Sequence, residues 1–522
     1  MRCVRERSVI EAAQRVEVTG ERHARYDEIL SAPALDLVAS VHRLGQGRRA
    51  AVLAARHQRA LAAAAGAPPP RVVVDPAAWQ VEEIPAGLAR RKVELAVPAD
   101  PSSLNSALKT GAATVVADLE ELTAPDWTRA IDAQIALLDH VAHSAMGFDG
   151  GPSARTRPHV MMRPRGLHLT EPSITVDGEP VAAAFADVTL NMVHTLALRR
   201  EADRVVSLSL PRIDAAAEAA LWDDVLAHIE SRLGAPEGTV KVSVPIGSIN
   251  AAAEADGIIA ALRGRIVALT CGRWDYAASV ANNAAGAHDA AAVLPDRRFI
   301  QLGRGFLRGM SRRVVEAAHR RGVLALAPMT AAVPDALDTD AVSETLERLR
   351  ADCERAATDG HDGRVVAHPW LVAHVGQVFD VTIPDDNQVS AMPAPLLTGE
   401  PEPGLADPYE GERTVEGLSR NIRIALGHAE ARLRGFGAVN VGGVVHGASS
   451  AELAVLHMSS WLRERTRLAT GEVVDTALFE ACLADELARL RGEFSEGAWA
   501  DRRFVDAAAA VRRGAIGTAE AA

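Results

Sequence analysis

Charged side chains follow several short apolar runs of this sequence, and their types suit chemistry on a small anion. The run "ATVVADL" precedes Glu120 and Glu121, "HVMM" precedes Arg163 and Arg165, and "IVALTCGRW" precedes Asp275. Carboxylate oxygens are the ligands that a divalent cation such as Mg²⁺ prefers, and arginine binds carboxylates through paired hydrogen bonds. The combination indicates a site for a small anionic substrate, with a divalent cation as one option.

Eight apolar runs between about residues 92 and 380 would position these side chains. The runs are "KVELAVPA", "ATVVADLEE", "HVMMRPRG", "RVVSLSLPRI", "TVKVSVPIGS", "RIVALTCGRWDY", "GVLALAPMTAA" and "GRVVAHPWLV". They are continuous rather than alternating, which is typical of parallel strands covered on both faces, and helical stretches separate them. The pattern predicts an α/β fold, a (β/α)₈ TIM barrel, whose active site lies at the carboxyl ends of the strands.

Helical segments flank the predicted barrel. Residues 1–70 predict an N-terminal helical clasp, because apolar residues recur there at three- and four-residue spacing until the break at "APPPR". The barrel would span 92–380, and the segment 381–414, rich in Pro, Gly and acidic residues, predicts a linker. Residues 415–522 predict a C-terminal helical domain.

Composition argues against several classes of partner and chemistry. The net charge of −12 disfavours nucleic acids and anionic membranes, and neither a signal-like leader nor an apolar run of spanning length occurs. We therefore expect a cytoplasmic protein that acts on a small molecule, as a monomer or small homo-oligomer. The cysteines are scattered, which disfavours a zinc site or disulfide framework, and Lys241 stands at the wrong strand end for a Schiff base.

Structural explanations stay open for the individual residues. An Asp or Glu at a strand end often caps the helix that follows. Arg163 and Arg165 in "RPRG" also suit a structural salt bridge. The occurrence of titratable groups at five strand ends together favours a functional rim.

Several stretches resemble malate synthase of the shorter, A-type form. They include "MMRPRGLHL", "CGRWDYAAS", "GRVVAHPWLV" and "NIRIALGHAEARLRGFGAVNVGGVV", and the resemblance runs from about residue 28 to 490. It implies an enzyme that condenses acetyl-CoA with glyoxylate and then hydrolyses the thioester. In the family Mg²⁺ polarises glyoxylate, an aspartate removes the proton from the acetyl methyl group, and an arginine stabilises the enolate.

The resemblance implies roles for particular residues of this chain. Arg163 matches the arginine that stabilises the enolate, and Asp275 matches one metal ligand, with Glu120 as a compensating ligand. The family usually has Asp where this chain has Glu121. Substrate or cofactor binding is expected of Arg165, Glu120, Glu121, Arg273, Trp274, His368 and Pro369.

Two positions depart from the family pattern. Gly247 stands where the metal-binding Glu is expected, and Gly447 stands where the catalytic Asp is expected. General-base catalysis contributes about 10²–10⁴-fold, and glycine has no proton acceptor. His446 is the remaining candidate base near neutral pH, with a surface loop histidine as the alternative.

These departures predict a changed function. We expect a diverged aldolase- or lyase-type enzyme of the malate synthase and citrate-lyase-like superfamily, acting on an oxo acid or acyl-CoA through an enolate. The alternative is a non-catalytic homologue that binds a CoA ester or oxo acid. A CoA thioester is a candidate substrate and Mg²⁺ binding should be weakened, with water, Arg163 or Arg273 filling the space beside Gly247.

Overall fold

The computed structural model describes residues 16–68, 70–75, 77–145, 158–201, 204–285, 293–335, 337–391 and 404–520. Residues 1–15 of the predicted clasp and 392–403 of the predicted linker lie outside the described residues.

A closed barrel of eight parallel strands forms the centre of the protein. Barrel strands one to eight, in chain order, are Val93–Pro98, Thr114–Asp118, His159–Arg163, Val206–Ser209, Val240–Ile246, Ile266–Cys271, Leu324–Thr330 and Gly363–Val366. Strand eight closes the ring on strand one, with Val365 opposite Glu94. The predicted TIM barrel is confirmed, and each apolar run named above forms one of its strands.

Helices surround the barrel and bury its outer face. They are Pro101–Ala107, Trp127–Ala145, Ala183–Glu201, Ala216–Arg232, Ile249–Ala253, Ala255–Ala261, Trp274–Ala285, Gly305–Arg320, Thr339–Thr358 and Trp370–Thr382, with a 3₁₀ turn at Arg297–Phe299. Large apolar side chains such as Trp222 and Phe306 are buried between helices and strands. None of the helices in the described part of the chain is long and apolar enough to cross a membrane.

The sequence pattern predicted helix throughout the N-terminal segment. That prediction is wrong at the start of the described residues. Val16–Val18 is a strand, and it pairs with Thr170–Val176, which in turn pairs with Glu179–Ala182. The partner strands lie more than 150 residues away in the chain, so local periodicity does not reveal the pairing. The helices that follow are Tyr26–Ile29, the long helix Ala32–Ala64 and the short helix Ala86–Ala89.

The C-terminal helices have a core of their own. They are Val415–Leu433, Ala448–Arg463, Thr476–Glu493, Glu496–Ala500 and Phe504–Glu520, with a hairpin of Val439–Asn440 and Val445–His446. Trp461, Phe479 and Leu483 are fully buried in this core. The helix Ala448–Arg463 packs against Trp274–Ala285 of the barrel, which brings its first turn to the carboxyl ends of the strands.

Candidate active site

The turn after barrel strand two holds three carboxylates at the rim. Asp118 accepts hydrogen bonds at Oδ1 from the backbone N–H groups of Glu120 (2.8 Å) and Glu121 (2.7 Å). Its other oxygen lies 3.5 Å from Nη1 of Arg163, its neighbour on strand three. Asp118 therefore shapes the turn, and the turn directs Glu120 and Glu121 towards Arg163.

Arg163 is the positive centre of this rim. Burial lowers the pKa of its guanidinium group, but Asp118, Glu121, Glu120 and Asp275 outweigh burial and raise it. Its Nε is buried and has no hydrogen-bond partner among the described residues. Arg163 thus stays charged, and its Nε–H is an unpaired donor within the described part of the chain.

Glu120 lies in a network that joins the barrel to the C-terminal helices. Its Oε1 accepts from Arg212 Nε at 2.5 Å, and its Oε2 accepts from the backbone N–H of Gly166 at 2.5 Å. The other end of Arg212 binds Glu452 on the helix Ala448–Arg463, with Nη2 at 3.0 Å from Oε1. Burial raises the pKa of Glu120, yet Arg212 and Arg163 prevail and lower it. Glu120 is thus an ionised, fully engaged partner of Arg212.

Glu121 meets the first turn of the same C-terminal helix. Ser449 donates to Glu121 Oε1 from its backbone N–H at 3.0 Å and from its hydroxyl at 2.7 Å. A Cβ atom added to Gly447 would lie only 2.6 Å from that oxygen. Burial raises the pKa of Glu121 to about 7, although Arg163 and Ser449 oppose the shift. The carboxyl group therefore changes charge near neutral pH.

Asp275 rests against two glycines at the ends of strands five and six. A Cβ atom on Gly247 would collide with Asp275 Oδ2, and one on Gly272 would lie 2.5 Å from Oδ1. We expected Arg163 or Arg273 to fill the space beside Gly247. That expectation is wrong for the space next to the Gly247 Cα atom, because the Asp275 carboxylate lies there. Burial raises the pKa of Asp275, while Arg212 and Arg163 act against that rise.

Asp275 and Gly247 line a cavity of about 460 Å³. Its wall also includes Arg56 and Arg59 of the long N-terminal helix, and Arg59 Nη2 lies 2.6 Å from Asp214 Oδ2. The sequence pattern carries no signal that two arginines of this helix reach the rim. The cavity is therefore built from the N-terminal helix, the barrel and, through Glu452, the C-terminal helices.

The donor set does not fit a resident Mg²⁺ ion at Asp275 and Glu120. Both oxygens of Glu120 accept hydrogen bonds, and Gly247 offers no side-chain ligand. Across the described ranges, no group of three or more His, Cys, Asp or Glu residues is placed to hold a metal ion. Mg²⁺ requires near-octahedral oxygen ligation from carboxylates, water and substrate, and here Asp275 is the one carboxylate of the expected pair with oxygens to spare.

Arg165 points away from Arg163 into a buried ion-pair cluster. Its guanidinium group lies 2.7 Å from Asp187 Oδ1 and 2.8 Å from Glu171 Oε2, and 3% of its side chain is exposed. These carboxylates raise its pKa in spite of burial. The arrangement favours the structural salt bridge over the substrate-binding role expected of this residue.

Arg273 and Trp274 follow strand six but stand apart from the residues that line the cavity. Arg273 Cζ lies 4.3 Å from the centre of the Trp274 ring, and its Nη2 donates to the backbone oxygen of Ile300 at 2.5 Å. Arg297 approaches the same ring at 5.0 Å. Arg273 and Trp274, which we expected to bind substrate, are thus engaged by this stacking and by the bond to Ile300.

His368 and Pro369 end strand eight and begin the next helix. His368 Nδ1 accepts a hydrogen bond from the backbone N–H of Trp370 at 3.2 Å, and Pro369 caps the helix Trp370–Thr382. Burial lowers the pKa of the half-buried His368. Neither residue lines the cavity beside Asp275.

His446 lies in the hairpin and is turned towards Ser450. Its Nδ1 is 2.7 Å from Ser450 Oγ, and 4% of the residue is exposed. Burial, together with Arg297 and Arg420, lowers its pKa to about 3. A neutral imidazole with so low a pKa is a poor proton acceptor, which argues against the catalytic role. The alternative of a surface loop histidine is wrong as well, because the ring is buried.

Comparison with known families agrees with this architecture. The model described as "Malate synthase, TIM barrel domain" matches residues 159–397, and the model "Malate synthase, C-terminal" matches residues 412–520.

Curated relatives match over most of the chain. A malate synthase of Myxococcus xanthus (strain DK1622) is 34% identical over 486 residues, which is 92% of this chain and 89% of that protein. Malate synthase A of Escherichia coli (strain K12) is 33% identical over 441 residues, which is 83% of this chain and 81% of that protein. Among solved structures, the pyruvate/acetyl-CoA ternary complex of Haloferax volcanii malate synthase superposes with a TM-score of 0.48 at 13% identity, covering 80% of this chain and 97% of that one.

Proposed function

This chain belongs to the malate synthase family, and from that premise we propose that it is a diverged enzyme that makes or breaks a carbon–carbon bond through an enolate. The substrate is an oxo acid, an acyl-CoA or a pair of these. One observation carries the proposal: the buried Nε–H of Arg163 has no hydrogen-bond partner among the described residues.

An enolate needs a positive hydrogen-bond donor at its oxygen. Arg163 stands at the carboxyl ends of the strands, where a TIM barrel binds its substrate, and four carboxylates keep it charged. A preorganised donor at a developing oxyanion contributes about 10²–10³-fold to the rate. Arg163 is thus suited to hold the enolate oxygen during proton transfer.

Malate synthesis by the route of the family is not the reaction we assign. Gly447 has no proton acceptor, and Gly247 has no metal ligand. The oxygens of Glu120, the nearest substitute ligand, already bind Arg212 and Gly166. A different substrate pair accommodates these changes better than the same reaction without its base and metal.

A binding protein for a CoA ester or oxo acid is the second candidate function. The two glycines at positions 247 and 447 favour it, because both remove functional groups and leave the scaffold intact. The cavity of about 460 Å³ would then hold the ligand without turnover.

One assay separates these functions. The full chain is incubated with pairs of acyl-CoAs and 2-oxo acids, with and without Mg²⁺, while thiol release and new products are followed. An enzyme should turn over at least one pair, and Arg163→Gln should slow it by about 10²–10³-fold. Arg350→Gln is the matched control and should leave the rate unchanged, because this side chain is 75% exposed on the helix Thr339–Thr358.

Three outcomes are informative. Saturable binding without turnover would favour the binding protein. Turnover that survives Arg163→Gln would remove the enolate role from Arg163. Malate formation from acetyl-CoA and glyoxylate at ordinary enzyme rates would overturn the assignment of a changed reaction.

A further inference from the structure

We propose that Glu121 is the carboxylate that accepts the proton from the substrate carbon, in the space that a side chain at position 447 would occupy. This inference rests on the proposed function, because it requires a substrate that is converted to an enolate.

The geometry around Gly447 is the first support. A Cβ atom built on Gly447 would lie 2.6 Å from Glu121 Oε1 and 2.7 Å from the backbone oxygen of Glu121. Position 447 is where the family resemblance places the catalytic aspartate, and position 121 usually has the shorter Asp. This chain has one methylene group more at 121 and no side chain at 447. A carboxylate therefore stays at this point, but the barrel carries it instead of the C-terminal helices.

The hydrogen bonds of Glu121 fall mainly on one of its two oxygens. Oε1 accepts both the backbone N–H of Ser449 at 3.0 Å and its hydroxyl at 2.7 Å. Oε2 has one longer contact, 3.2 Å from the same N–H group, among the described residues. Ser449 thus orients the carboxylate through Oε1, and Oε2 retains lone pairs for a proton.

The polar groups nearest to position 447 on the strand-two turn and the hairpin accept other hydrogen bonds. Asp118 Oδ1 accepts two backbone N–H groups, and both oxygens of Glu120 accept hydrogen bonds. His446 faces Ser450. Of the three carboxylates of the strand-two turn, Glu121 is the one that contacts position 447 and the first turn of the C-terminal helix. Its Oε2 accepts one hydrogen bond, at 3.2 Å, and the positive charge of Arg163 acts on the carboxylate.

The step balances without a further reactant. The carbon–hydrogen bond next to the substrate carbonyl breaks, its proton bonds to Glu121 Oε2, and its electron pair forms the carbon–carbon double bond of the enolate. The carbonyl oxygen gains the negative charge and is held by Arg163. In the reverse direction the protonated Glu121 returns the proton to carbon.

Isotope exchange tests this step apart from any later one. Acetyl-CoA and pyruvate are each incubated with the full chain in D₂O, and loss of their methyl protons is followed by NMR. The protein as it exists should exchange at least one of the two probes. Glu121→Gln should lower that rate by about 100-fold or more, since it removes a general base.

Control variants separate proton transfer from the structural role of Glu121. Ser449→Ala removes the hydroxyl contact but keeps the carboxylate, so it should lower exchange by no more than about 10-fold, well short of the loss of a general base. Glu486→Gln changes a carboxylate that is 5% exposed in the C-terminal core, and it should leave exchange unchanged. If Glu121 only held the helix in place, Ser449→Ala and Glu121→Gln would have similar effects.

A rescue variant keeps the inference testable if Glu121→Gln folds poorly. Glu121→Asp keeps a carboxylate that is one methylene group shorter, so exchange should stay at least about 10-fold above that of Glu121→Ala, a part of what a general base contributes. Exchange by Glu121→Gln at the unmodified rate would overturn the role of Glu121 and leave the proposed function standing. An unmodified protein that neither exchanges a probe nor turns over a substrate pair would overturn both.

Discussion

The carboxylate of Asp275 occupies the place where a side chain at Gly247 would begin. A Cβ atom on Gly247 would collide with Asp275 Oδ2, and a Cβ atom on Gly272 would lie 2.5 Å from Oδ1 of the same carboxylate. Neither glycine has a positive φ, so the backbone admits other residues at both positions. The constraint at position 247 is therefore the space that Asp275 needs.

Gly247→Glu should create Mg²⁺ affinity at the expense of stability without the metal. The new side chain must displace the end of Asp275 and would place two carboxylates side by side, which repel each other until a cation joins them. We expect a lower melting temperature in EDTA and recovery when Mg²⁺ is added, because a ligand that binds the folded state stabilises it. Calorimetric titration with Mg²⁺ checks the affinity.

Gly247→Gln is the matched control for the metal prediction. It has the same shape without the charge, so its melting temperature should fall in EDTA and should not recover with Mg²⁺. Tight Mg²⁺ binding by the unmodified protein, unaffected by Asp275→Ala, would show that the metal site lies elsewhere.

Arg212→Ala should destabilise the protein strongly. It would leave the buried Glu120 without its ionic partner, and breaking a buried pair from one side costs about 3–5 kcal/mol. Glu452, the partner at the other end of Arg212, has a side chain that is 54% exposed. Glu452→Gln should therefore lower the free energy of unfolding by no more than about 1 kcal/mol. The shift of the urea midpoint measures both, and equal shifts would contradict the assignment of the buried end as the important one.

Glu121 should make stability fall as the pH rises through neutrality. Its pKa is about 7 in the folded protein against an ordinary value of 4.5, so between these values the folded state holds a proton that the unfolded chain has lost. The unfolded state therefore binds fewer protons and stability declines with pH across this window. The groups that act on Glu121 are Arg163, Ser449, Asp118 and Arg212.

Glu121→Gln stays neutral and should lose this pH dependence. Its melting temperature relative to the unmodified protein should rise between pH 5 and pH 8, and calorimetric scans at the two values measure the difference. A constant difference across that range would mean that the Glu121 carboxyl group does not titrate there.

His446 should make the protein sensitive to acid. Its folded-state pKa of about 3 lies below the ordinary value of 6.5. Between these two values the unfolded chain binds a proton that the folded state does not bind. The stability contributed by the neutral ring is present above 6.5 and is lost as the pH falls towards 3. His446→Asn should reduce the drop in melting temperature between pH 7.5 and pH 5, whereas His143→Asn, at an exposed histidine, should not.

The barrel was predictable from the sequence because burial imposes a pattern on each strand. A parallel strand covered on both faces is apolar along most of its length, and "GVLALAPMTAA" and "RIVALTCGRWDY" show this within a few residues. The ends of such runs also locate the rim, so Arg163 and Asp275 could be placed at the same edge without coordinates.

The partners of the polar groups could not be predicted in this way. Arg163 and Arg165 stand two residues apart in "RPRG", yet one faces the rim and the other binds Asp187 and Glu171. A side chain just past a strand end is free of the strand's alternation, so its direction depends on which carboxylate the neighbouring elements bring near.

What the sequence by itself determined is therefore the eight barrel strands, their order and the identity of the two glycines that depart from the family. Only the tertiary structure decided that Asp275 fills the space at Gly247, that Glu121 fills the space at Gly447, and that Arg59 reaches the cavity. The physical reason is the difference in sequence distance between the two kinds of signal. Apolar periodicity acts over a few residues, whereas these contacts join segments that lie up to 328 residues apart in the chain.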